Sequence, residues 1–501
     1  MADNPFVICQ YFNFGMWNFF LSMFHLGDSS VVASSAALKE SIDTLWKAQL
    51  SVFVMLVLES FHNRLQALGE IVEKYLNIID VNGGLSNIIY MILTGTGNAI
   101  ISAPKPGSSN YLSAIGQLDW RTQLDRTIAI QHGGREIGGI NHKFFPDNSV
   151  PEPVLMAELC IMSSKLAYEN PETVKGIVTG TWNMNFVAQY NCWIEPQRVD
   201  ATKVFLATDR QEEARVIVVA FRGTDPFNTF NWITDFDFSW YNLKNLGRVH
   251  VGFLEALGLG SRDNLETFAE LQRRLLDPAS PGSSMSGLPG NVTSTKLLAY
   301  DVVTQKLKEL IQTHKDAKIY VTGHSLGGAL ACLYSALLYY AEEFELADRI
   351  GGVFTFGQPR VGDYEFVSFY NGKLTQPNRY FRVVYNNDVV PRVPFDNSIS
   401  GFEHAGICRY FDSFYNGMLL AEVPNKNYFS IFYYLPMTIS AIWELLYNTL
   451  ILPFLHGHDY LETKISTLFR TVGVLFPGIG SHSPVSYVNS VRLGTSSENL
   501  W

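Results

Sequence analysis

The order of apolar and polar positions divides the chain into parts with different sequence patterns. From about Pro151, short apolar runs rich in Val and Phe alternate with helical patterns, whereas the first 110 residues contain long uncharged stretches. Strands that alternate with helices predict βαβ units and a mostly parallel sheet. We therefore predict an α/β domain over residues 151–501, a linker at 111–150, and an apolar, helical N-terminal region at 1–110.

The α/β part has five short apolar runs that predict strands. A charged, turn-like segment at Asp209–Arg215 separates the first two and predicts a hairpin. Apolar residues at helical spacing predict a helix within Pro153–Asn170, ahead of these strands. The predicted strands are Lys203–Thr208, Val216–Phe221, Lys318–Thr322, Gly352–Phe356 and Tyr380–Tyr385.

Three uncharged stretches characterise the N-terminal region. Pro5–Gly27 is crowded with aromatic side chains, which favour the boundary between membrane and water. Ala48–Leu58 is too short to span a bilayer, which takes about 20 residues. Val81–Pro104 is interrupted by glycines and fits an interfacial or re-entrant segment. We predict association with a membrane surface or lipid droplet; burial within the protein and a true span stay open.

A further apolar segment lies late in the α/β part, within an insertion at about 411–475. Between Asn427 and Gly457 the only Asp, Glu, Lys or Arg is Glu444. This segment fits a cap over an apolar pocket, a second membrane contact or a plain buried helix, and the pattern does not choose among them.

The amino-acid composition argues against several classes of protein, among them nucleic-acid-binding and disulfide-rich proteins. Of 501 residues 47% are hydrophobic and only 17% charged, with 37 Lys+Arg against 47 Asp+Glu and a net charge of −10. An acidic chain argues against nucleic acid as a partner. The five scattered cysteines include no C-x-x-C pair, which argues against a disulfide framework or a zinc site and favours a reducing, intracellular compartment. No pattern requires a metal or another cofactor.

The clearest chemical signal is Gly323-His324-Ser325-Leu326-Gly327-Gly328, between a predicted strand and an Ala/Leu-rich helix. This context is that of a nucleophile elbow, typical of the α/β-hydrolase fold, in which a sharp turn lifts the serine hydroxyl clear of the sheet. Ser325 is therefore the candidate nucleophile, and His324 is expected to support the packing of the turn.

A serine nucleophile needs a base and an acid, which follow it in the order acid, then histidine. Asp388 comes directly after the predicted strand Tyr380–Tyr385, at a strand end where open α/β sheets place their sites. Four downstream histidines compete for the role of base, and spacing alone leaves them open: His404, His456, His458 and His482.

Six motifs in order resemble the class 3 (fungal-type) triacylglycerol lipases, most closely the plant oil-body lipases, over roughly Met156 to Leu493. They are Phe221–Thr224, Asn231–Asp235, Val249–Phe253, Gly323–Gly328, Thr355–Gly362 and Asp388–Pro391. The resemblance implies Ser325 as nucleophile, Asp388 as acid and His482 as base, with the N–H groups of Thr224 and Leu326 forming the oxyanion hole. The Asp388–His482 separation exceeds the fungal pattern, and the apolar insertion accounts for the excess.

The resemblance also implies a lid at about 225–238, whose apolar members include Phe227, Phe230, Trp232, Ile233 and Phe236. A short amphipathic helix of this kind covers an apolar cleft in water and opens on lipid; a fixed core helix is the alternative. The expected function is hydrolysis of acylglycerol esters, chiefly of triacylglycerols, at a lipid–water interface. The expected location is a lipid droplet (oil body) or membrane surface. A phospholipase A1 or galactolipase, and a catalytically silent lipase-like scaffold, are the alternatives.

Overall fold

The computed structural model describes most of the α/β part and about half of the residues before it. The described residues are 6–9, 32–34, 42–115, 128–130, 135–137, 153–225, 237–276, 296–375, 378–394, 401–426, 431–456, 460, 462, 464–496 and 499–501. The strands are β1 (Phe6–Cys9), β2 (Val32–Ser34), β3 (Ile128–Ile130), β4 (Arg135–Ile137), β5 (Asn185–Ile194), β6 (Val199–Thr208), β7 (Val216–Phe221), β8 (Trp240–Leu243), β9 (Gly247–His250), β10 (Lys318–His324), β11 (Ile350–Phe356), β12 (Gly362–Asp363), β13 (Tyr380–Tyr385), β14 (Phe402–Glu403), β15 (Cys408–Phe411) and β16 (Gly417–Leu420).

Helices occupy both the N-terminal region and the connections between strands. The α-helices are α1 (Ile42–Val81), α2 (Leu85–Leu93), α3 (Pro153–Leu166), α4 (Pro171–Gly176), α5 (Val251–Ala256), α6 (Glu266–Leu276), α7 (Ala299–Thr313), α8 (Leu326–Tyr340), α9 (Phe344–Ala347), α10 (Tyr364–Tyr370), α11 (Ile431–Leu446), α12 (Leu452–His456), α13 (Lys464–Gly473) and α14 (Pro484–Leu493). Short 3₁₀ turns lie at Gly97–Ala99, Val390–Arg392 and Gly480–His482, and π-helical turns at Ile177–Thr181, Asn371–Thr375 and Tyr447–Ile451.

An eight-stranded sheet organises the α/β part, in the order β16-β15-β13-β11-β10-β7-β6-β5. The five central strands from β15 to β7 are parallel, and antiparallel partners complete both edges. The parallel strands read as continuous apolar runs because helices cover both of their faces. The predicted α/β fold with a mostly parallel sheet is confirmed, and so is the hairpin, formed by β6 and β7 across Asp209–Arg215.

Two apolar cores lie on opposite faces of this sheet. One contains the whole of α8, which is buried throughout, together with the inner sides of α5 and α7. The other contains α3 and α14, which pack against each other and against the opposite face of the sheet. Because α8 begins where β10 ends and α14 begins just after His482, the two layers meet at the carboxyl edge of the parallel strands.

Part of the predicted N-terminal region belongs to the hydrolase body. Strand β1 pairs antiparallel with β8, and Val7, Ile8 and Cys9 are buried. The guanidinium of Arg262 donates to the carbonyl of Cys9 at 3.2 Å. For Phe6–Cys9 these contacts favour burial within the protein, the alternative that the sequence left open. Their run of apolar residues is explained by burial against the α/β part.

Residues 108–114 form a strap between α1 and the α/β part. Asn77 of α1 donates to the carbonyl of Leu112 and accepts from its N–H, both at 2.9 Å. On the other side, the Ser113 N–H donates to Glu169, next to α3, at 2.8 Å. The linker predicted from residue 111 therefore begins with an anchored segment.

The apolar insertion contains α11, α12 and α13. Among the residues described, Phe432–His456 is the one continuous helical stretch long and apolar enough to cross a membrane, with a mean hydropathy of 1.3. Gln66–Val81 and Leu85–Leu93 pass the same criterion only as a pair bent by 72°. Many apolar side chains on the outer side of α11 and α12 are exposed, so the interpretation of this insertion as a plain buried helix is wrong.

Candidate active site

The turn between β10 and α8 carries Ser325 at its apex. Ser325 has φ 59° and ψ −133°, a left-handed conformation that non-glycine residues rarely adopt. A Cβ on Gly323 would lie 2.1 Å from the Gly327 carbonyl, and one on Gly327 would lie 2.2 Å from the Phe221 carbonyl. Glycine is therefore required on both sides of the serine, and the turn projects the Ser325 side chain from the carboxyl edge of the sheet.

Asp388 lies in the loop that follows β13, two strands away from β10. Its side chain is fully buried, and its Oδ1 accepts the N–H of Val390 at 2.9 Å. That local bond fixes the carboxylate in the loop and leaves both oxygens facing a histidine.

His482 joins the serine to the aspartate. Its Nε2 lies 2.8 Å from Ser325 Oγ, and its Nδ1 lies 2.8 and 2.9 Å from the two carboxylate oxygens of Asp388. A carboxylate only accepts, so Nδ1 donates and Nε2 is left to accept the serine proton. The structure thus brings together three side chains that are 94 and 157 positions apart in sequence, in the arrangement of a proton relay.

The other candidate histidines lie elsewhere or are not described. The Nε2 of His404 donates to the carbonyl of Pro391 at 2.7 Å, which makes this side chain a buried support of the Asp388 loop. His456 is exposed at the end of α12, and His458 lies outside the described residues. Spacing could not separate these histidines because the insertion displaces His482 in sequence while leaving it close in space.

The predicted oxyanion-hole residues flank the serine. Leu326 is the first residue of α8, where N–H groups have no acceptor within the helix. Thr224 is buried and follows Gly223, whose position is so close to the serine turn that a Cβ there would lie 2.4 Å from the His324 carbonyl and 3.0 Å from Ser325 Cβ. The predicted lid residues Phe227, Phe230, Trp232 and Ile233 lie outside the described residues.

His324, which was expected to support the packing of the turn, also contacts the histidine of the relay. Its Nε2 lies 2.9 Å from the backbone carbonyl of His482, and its Nδ1 lies 2.9 Å from the hydroxyl of Tyr168. Burial, the largest cause, holds the pKa of His324 well below its ordinary value, so the ring is neutral. Nε2 must then carry the proton that the carbonyl accepts, and Tyr168 donates to Nδ1, which fixes the tautomer.

Tyr487 is a site residue that sequence reasoning missed. It lies on α14, one and a half turns after His482, and its buried hydroxyl donates to Asp388 Oδ2. The available signal was its position in the segment that carries the histidine, but a buried tyrosine on a helix is ordinarily a core residue. Tyr487 therefore holds a carboxylate oxygen that also accepts from His482 Nδ1.

Replacing Tyr487 with phenylalanine is expected to lower kcat about 10-fold with KM unchanged, because a hydrogen bond to a charged group is lost while no substrate contact changes. Steady-state kinetics on a soluble ester measure both constants. The matched control is Tyr370→Phe, which removes another buried hydroxyl, bonded to Ser335 at 3.1 Å. Equal kcat values for the two variants would contradict the role of Tyr487.

Glu444 forms a second buried contact with both loops of the relay. Its carboxylate accepts from the side-chain amide of Asn386, two residues before Asp388. It also accepts from the hydroxyl of Ser481, next to His482, which lies 3.0 and 3.1 Å from the two carboxylate oxygens. Arg470 of α13 pairs with the same carboxylate at 3.1 Å. Glu444, the only Asp, Glu, Lys or Arg between Asn427 and Gly457, thus points inward, where it connects α11 to the loops that position Asp388 and His482.

A buried histidine in β9 makes the fold sensitive to acid. His250 is fully buried at the end of β9, and burial, the largest cause, lowers its pKa from an ordinary 6.5 to about 4. Between these pH values the unfolded chain binds a proton that the folded chain does not, so the free energy of unfolding falls as the pH drops from 6.5 to about 4. The expected loss is on the order of 3 kcal/mol.

Urea unfolding of the parent protein and of His250→Gln, each at pH 7 and pH 4.5, measures this contribution. Other groups titrate in both proteins, so the comparison is between the two pH dependences. The parent should lose more stability on acidification than the variant; equal losses would contradict the assignment.

Comparisons with known proteins identify the family of this chain. A family model described as Lipase (class 3) matches residues 218–398. Triacylglycerol lipase OBL1 of Nicotiana tabacum is 40% identical over 490 residues, which cover 90% of this chain and 84% of the relative. Phospholipase A1-IIalpha of Arabidopsis thaliana is 30% identical over 202 residues, which cover 38% of this chain and 42% of the relative.

Among solved structures, the chain is similar to a Rhizomucor miehei lipase propeptide complex at 21% identity, with 51% of this chain and 67% of that chain covered and a TM-score of 0.34. The assignment itself rests on the family model and on the Nicotiana tabacum relative, which covers 90% of this chain. The chain belongs to the class 3 lipase family of carboxylic ester hydrolases.

Proposed function

We propose that this protein is a serine lipase that hydrolyses the ester bonds of triacylglycerols, and of the di- and monoacylglycerols they give, at a lipid surface. The observation that carries the proposal is the continuous path Ser325 Oγ–His482–Asp388, with 2.8 Å from hydroxyl to imidazole and 2.8 Å from imidazole to carboxylate. A relative that covers most of the chain bears the name triacylglycerol lipase, which supports the choice of substrate.

The reaction proceeds through an acyl-enzyme. His482 Nε2 takes the proton of Ser325 as Oγ attacks the ester carbonyl carbon, and the N–H groups of Thr224 and Leu326 bind the resulting oxyanion. The bond from carbon to the glycerol oxygen breaks, and the leaving diacylglycerol takes the proton from His482. Water then attacks the acyl group, gives its proton to His482, and the fatty acid leaves as Ser325 regains its hydrogen.

The surrounding contacts support this sequence because they fix each partner before substrate arrives. Asp388, held by Val390 and Tyr487, keeps the Nδ1 proton of His482 in place and stabilises the imidazolium that forms. His324 holds the backbone of His482. Preorganised groups of this kind need little rearrangement during the reaction, which is the main source of electrostatic catalysis.

A phospholipase A1 activity is the second candidate, since one relative, which matches 38% of this chain, is named a phospholipase A1. The ester chemistry is the same, so the relay cannot separate these substrates. A catalytically silent scaffold is disfavoured by the intact relay. Hydrolysis of emulsified triolein beside phosphatidylcholine and monogalactosyldiacylglycerol, with products resolved by chromatography, tests the proposal. We expect oleic acid and diolein at a rate at least 10-fold above either polar lipid; preferential cleavage of a polar lipid would overturn it.

We also propose that the protein works bound to a lipid droplet or another intracellular membrane surface. The exposed apolar side chains of α11–α13 support this, as does the lid predicted at about 225–238. A lipid surface supplies both the insoluble substrate and a favourable environment for such side chains. Truncation would remove β1 and the strap, so point substitutions on exposed residues are the appropriate test.

A further inference from the structure

The helices α11 and α12, with the end of α13, form a layer that is apolar on its outer side. We call this side the outer face and define it by Phe432, Leu435, Ile439, Leu450, Phe454 and Phe476, all of which are exposed. Phe432 and Phe454 are exposed to 87% and 88%. An apolar surface of this extent on a folded domain marks an interaction site.

The inner side of the same helices is a narrow stripe that holds them to the hydrolase body. Its members follow one another at intervals of four, three, four and four positions, which is one face of a helix. They are the buried residues Met437, Ala441, Glu444, Asn448 and Leu452. The helical stretch therefore has one attached side, and the rest of its circumference points away from the domain.

Polar bonds along this stripe determine how the layer can meet a membrane. Asn448 accepts from the hydroxyl of Tyr415 at 3.2 Å, and Ser440 accepts from Asn387 at 3.1 Å. With the Glu444 contacts, these bonds attach the second half of α11 and the π-helical turn after it to loops of the domain. A helix that crosses a bilayer would have to leave these partners and bury the Glu444 carboxylate in hydrocarbon, which is strongly unfavourable. The stretch therefore lies flat along the domain surface.

The distribution of charged residues indicates what kind of partner the outer face binds. Within the described stretch 431–456, Glu444 is the only Asp, Glu, Lys or Arg, and it is buried on the inner side. The outer face thus offers no ion pair to a protein partner, whereas the acyl region of a lipid layer requires none. Tyr433, Tyr434 and Trp443 are partly exposed at its margins and suit the headgroup region.

We propose that the outer face is a lipid-docking surface that lies in the plane of a phospholipid monolayer or bilayer. This inference rests on the proposed function, since the lipid layer is where the substrate is found. Glu444 bonds to residues next to His482 and near Asp388, so the docking surface and the relay are parts of one rigid body. Docking through this face therefore sets the distance and orientation of Ser325 relative to the lipid.

The double variant Phe432→Asp/Phe454→Asp tests the docking surface without touching the inner stripe. The matched control is Tyr90→Asp/Leu93→Asp, which charges two comparably exposed residues of α2. Each protein is measured for flotation with triolein droplets coated with phosphatidylcholine, for hydrolysis of those droplets, and for hydrolysis of soluble p-nitrophenyl butyrate. Two negative charges in the acyl region should lower droplet binding and droplet hydrolysis at least 10-fold, with soluble-ester kinetics within twofold of the parent. The control should bind as the parent does.

Two results would overturn the inference. One is loss of flotation in the α2 variant with normal flotation of the Phe432→Asp/Phe454→Asp variant, which would place the docking surface in the N-terminal region. The other is normal flotation of that variant together with a change from dimer to monomer in light scattering, which would assign the outer face to a second copy of the chain. Flotation is independent of catalysis, so an inactive but floating parent would contradict the proposed function and leave the docking surface supported.

Discussion

Replacing Ser325 with alanine is expected to lower kcat for triolein and for p-nitrophenyl butyrate by about 10⁴- to 10⁶-fold, because the covalent path is lost and only binding and oxyanion stabilisation remain. The fold should survive, since the substitution removes one hydroxyl from a turn whose shape depends on Gly323 and Gly327. Initial rates on both substrates, with thermal unfolding of the same samples, measure the two effects.

The matched control for this prediction is Ser335→Ala. Ser335 lies on α8, which begins directly after Ser325, and its buried hydroxyl bonds to the Ala331 carbonyl at 2.9 Å. Its loss should cost stability and leave kcat within about twofold. A Ser325→Ala protein with a rate near that of the control would refute the nucleophile assignment.

Replacing Asp388 with asparagine is expected to lower kcat by about 10⁴-fold. A carboxylate can only accept from His482 Nδ1, whereas an amide can present its NH₂ group and favour the tautomer with the proton on Nε2. That tautomer cannot accept the proton of Ser325, and the imidazolium formed during reaction loses its counter-charge. Rate measurements across pH 5 to 9 give the size of the effect.

Asp209→Asn serves as the comparison for the Asp388 variant. Asp209 is also fully buried and accepts backbone N–H groups, from Arg215 and Val216, at 2.8 and 3.0 Å, but it lies in the β6–β7 turn. We expect it to lose stability with little change in kcat. Similar kcat values for the two variants would show that the Asp388 carboxylate acts through folding alone.

The sequence carried enough information to predict the fold class and to single out Ser325 as the candidate nucleophile. Short apolar runs predicted strands to within a few residues because parallel strands buried on both faces leave little room for polar side chains. The elbow was recognisable because the turn at Ser325 tolerates only glycine at 323 and 327, which leaves a fixed spacing in the chain.

The identity of the base could not be read from spacing. His482 comes close to Ser325 only after α11, α12 and α13 pack beside the sheet, and four histidines followed Asp388 in sequence. The family resemblance pointed to His482, and the distances of 2.8 Å on either side of its ring place it between the other two groups.

The residues that position Asp388 and His482 could not be identified from the sequence for a related reason. Tyr487 contacts Asp388, 99 positions away, and Glu444 contacts Asn386, 58 positions away. The pattern of neighbouring residues does not indicate partners at such distances in sequence. Periodicity also left Phe6–Cys9 open between contact with lipid and burial, because an apolar run that pairs within a sheet reads the same as one that meets lipid. Hydrophobic pattern indicates that a segment avoids water, and the packing decides what it meets instead.

The most direct test of the relay is to identify the atom that a fluorophosphonate modifies in the parent protein. The reagent transfers its phosphonyl group to an activated serine oxygen with loss of fluoride, so reaction requires the base as well as the nucleophile. Digestion with trypsin and fragment mass spectrometry should place one phosphonyl group on Ser325, within the peptide Ile319–Arg349, with loss of activity in step with labelling. A fully inactivated protein that carries the group on another residue, or a fully active one that carries it on Ser325, would contradict the account.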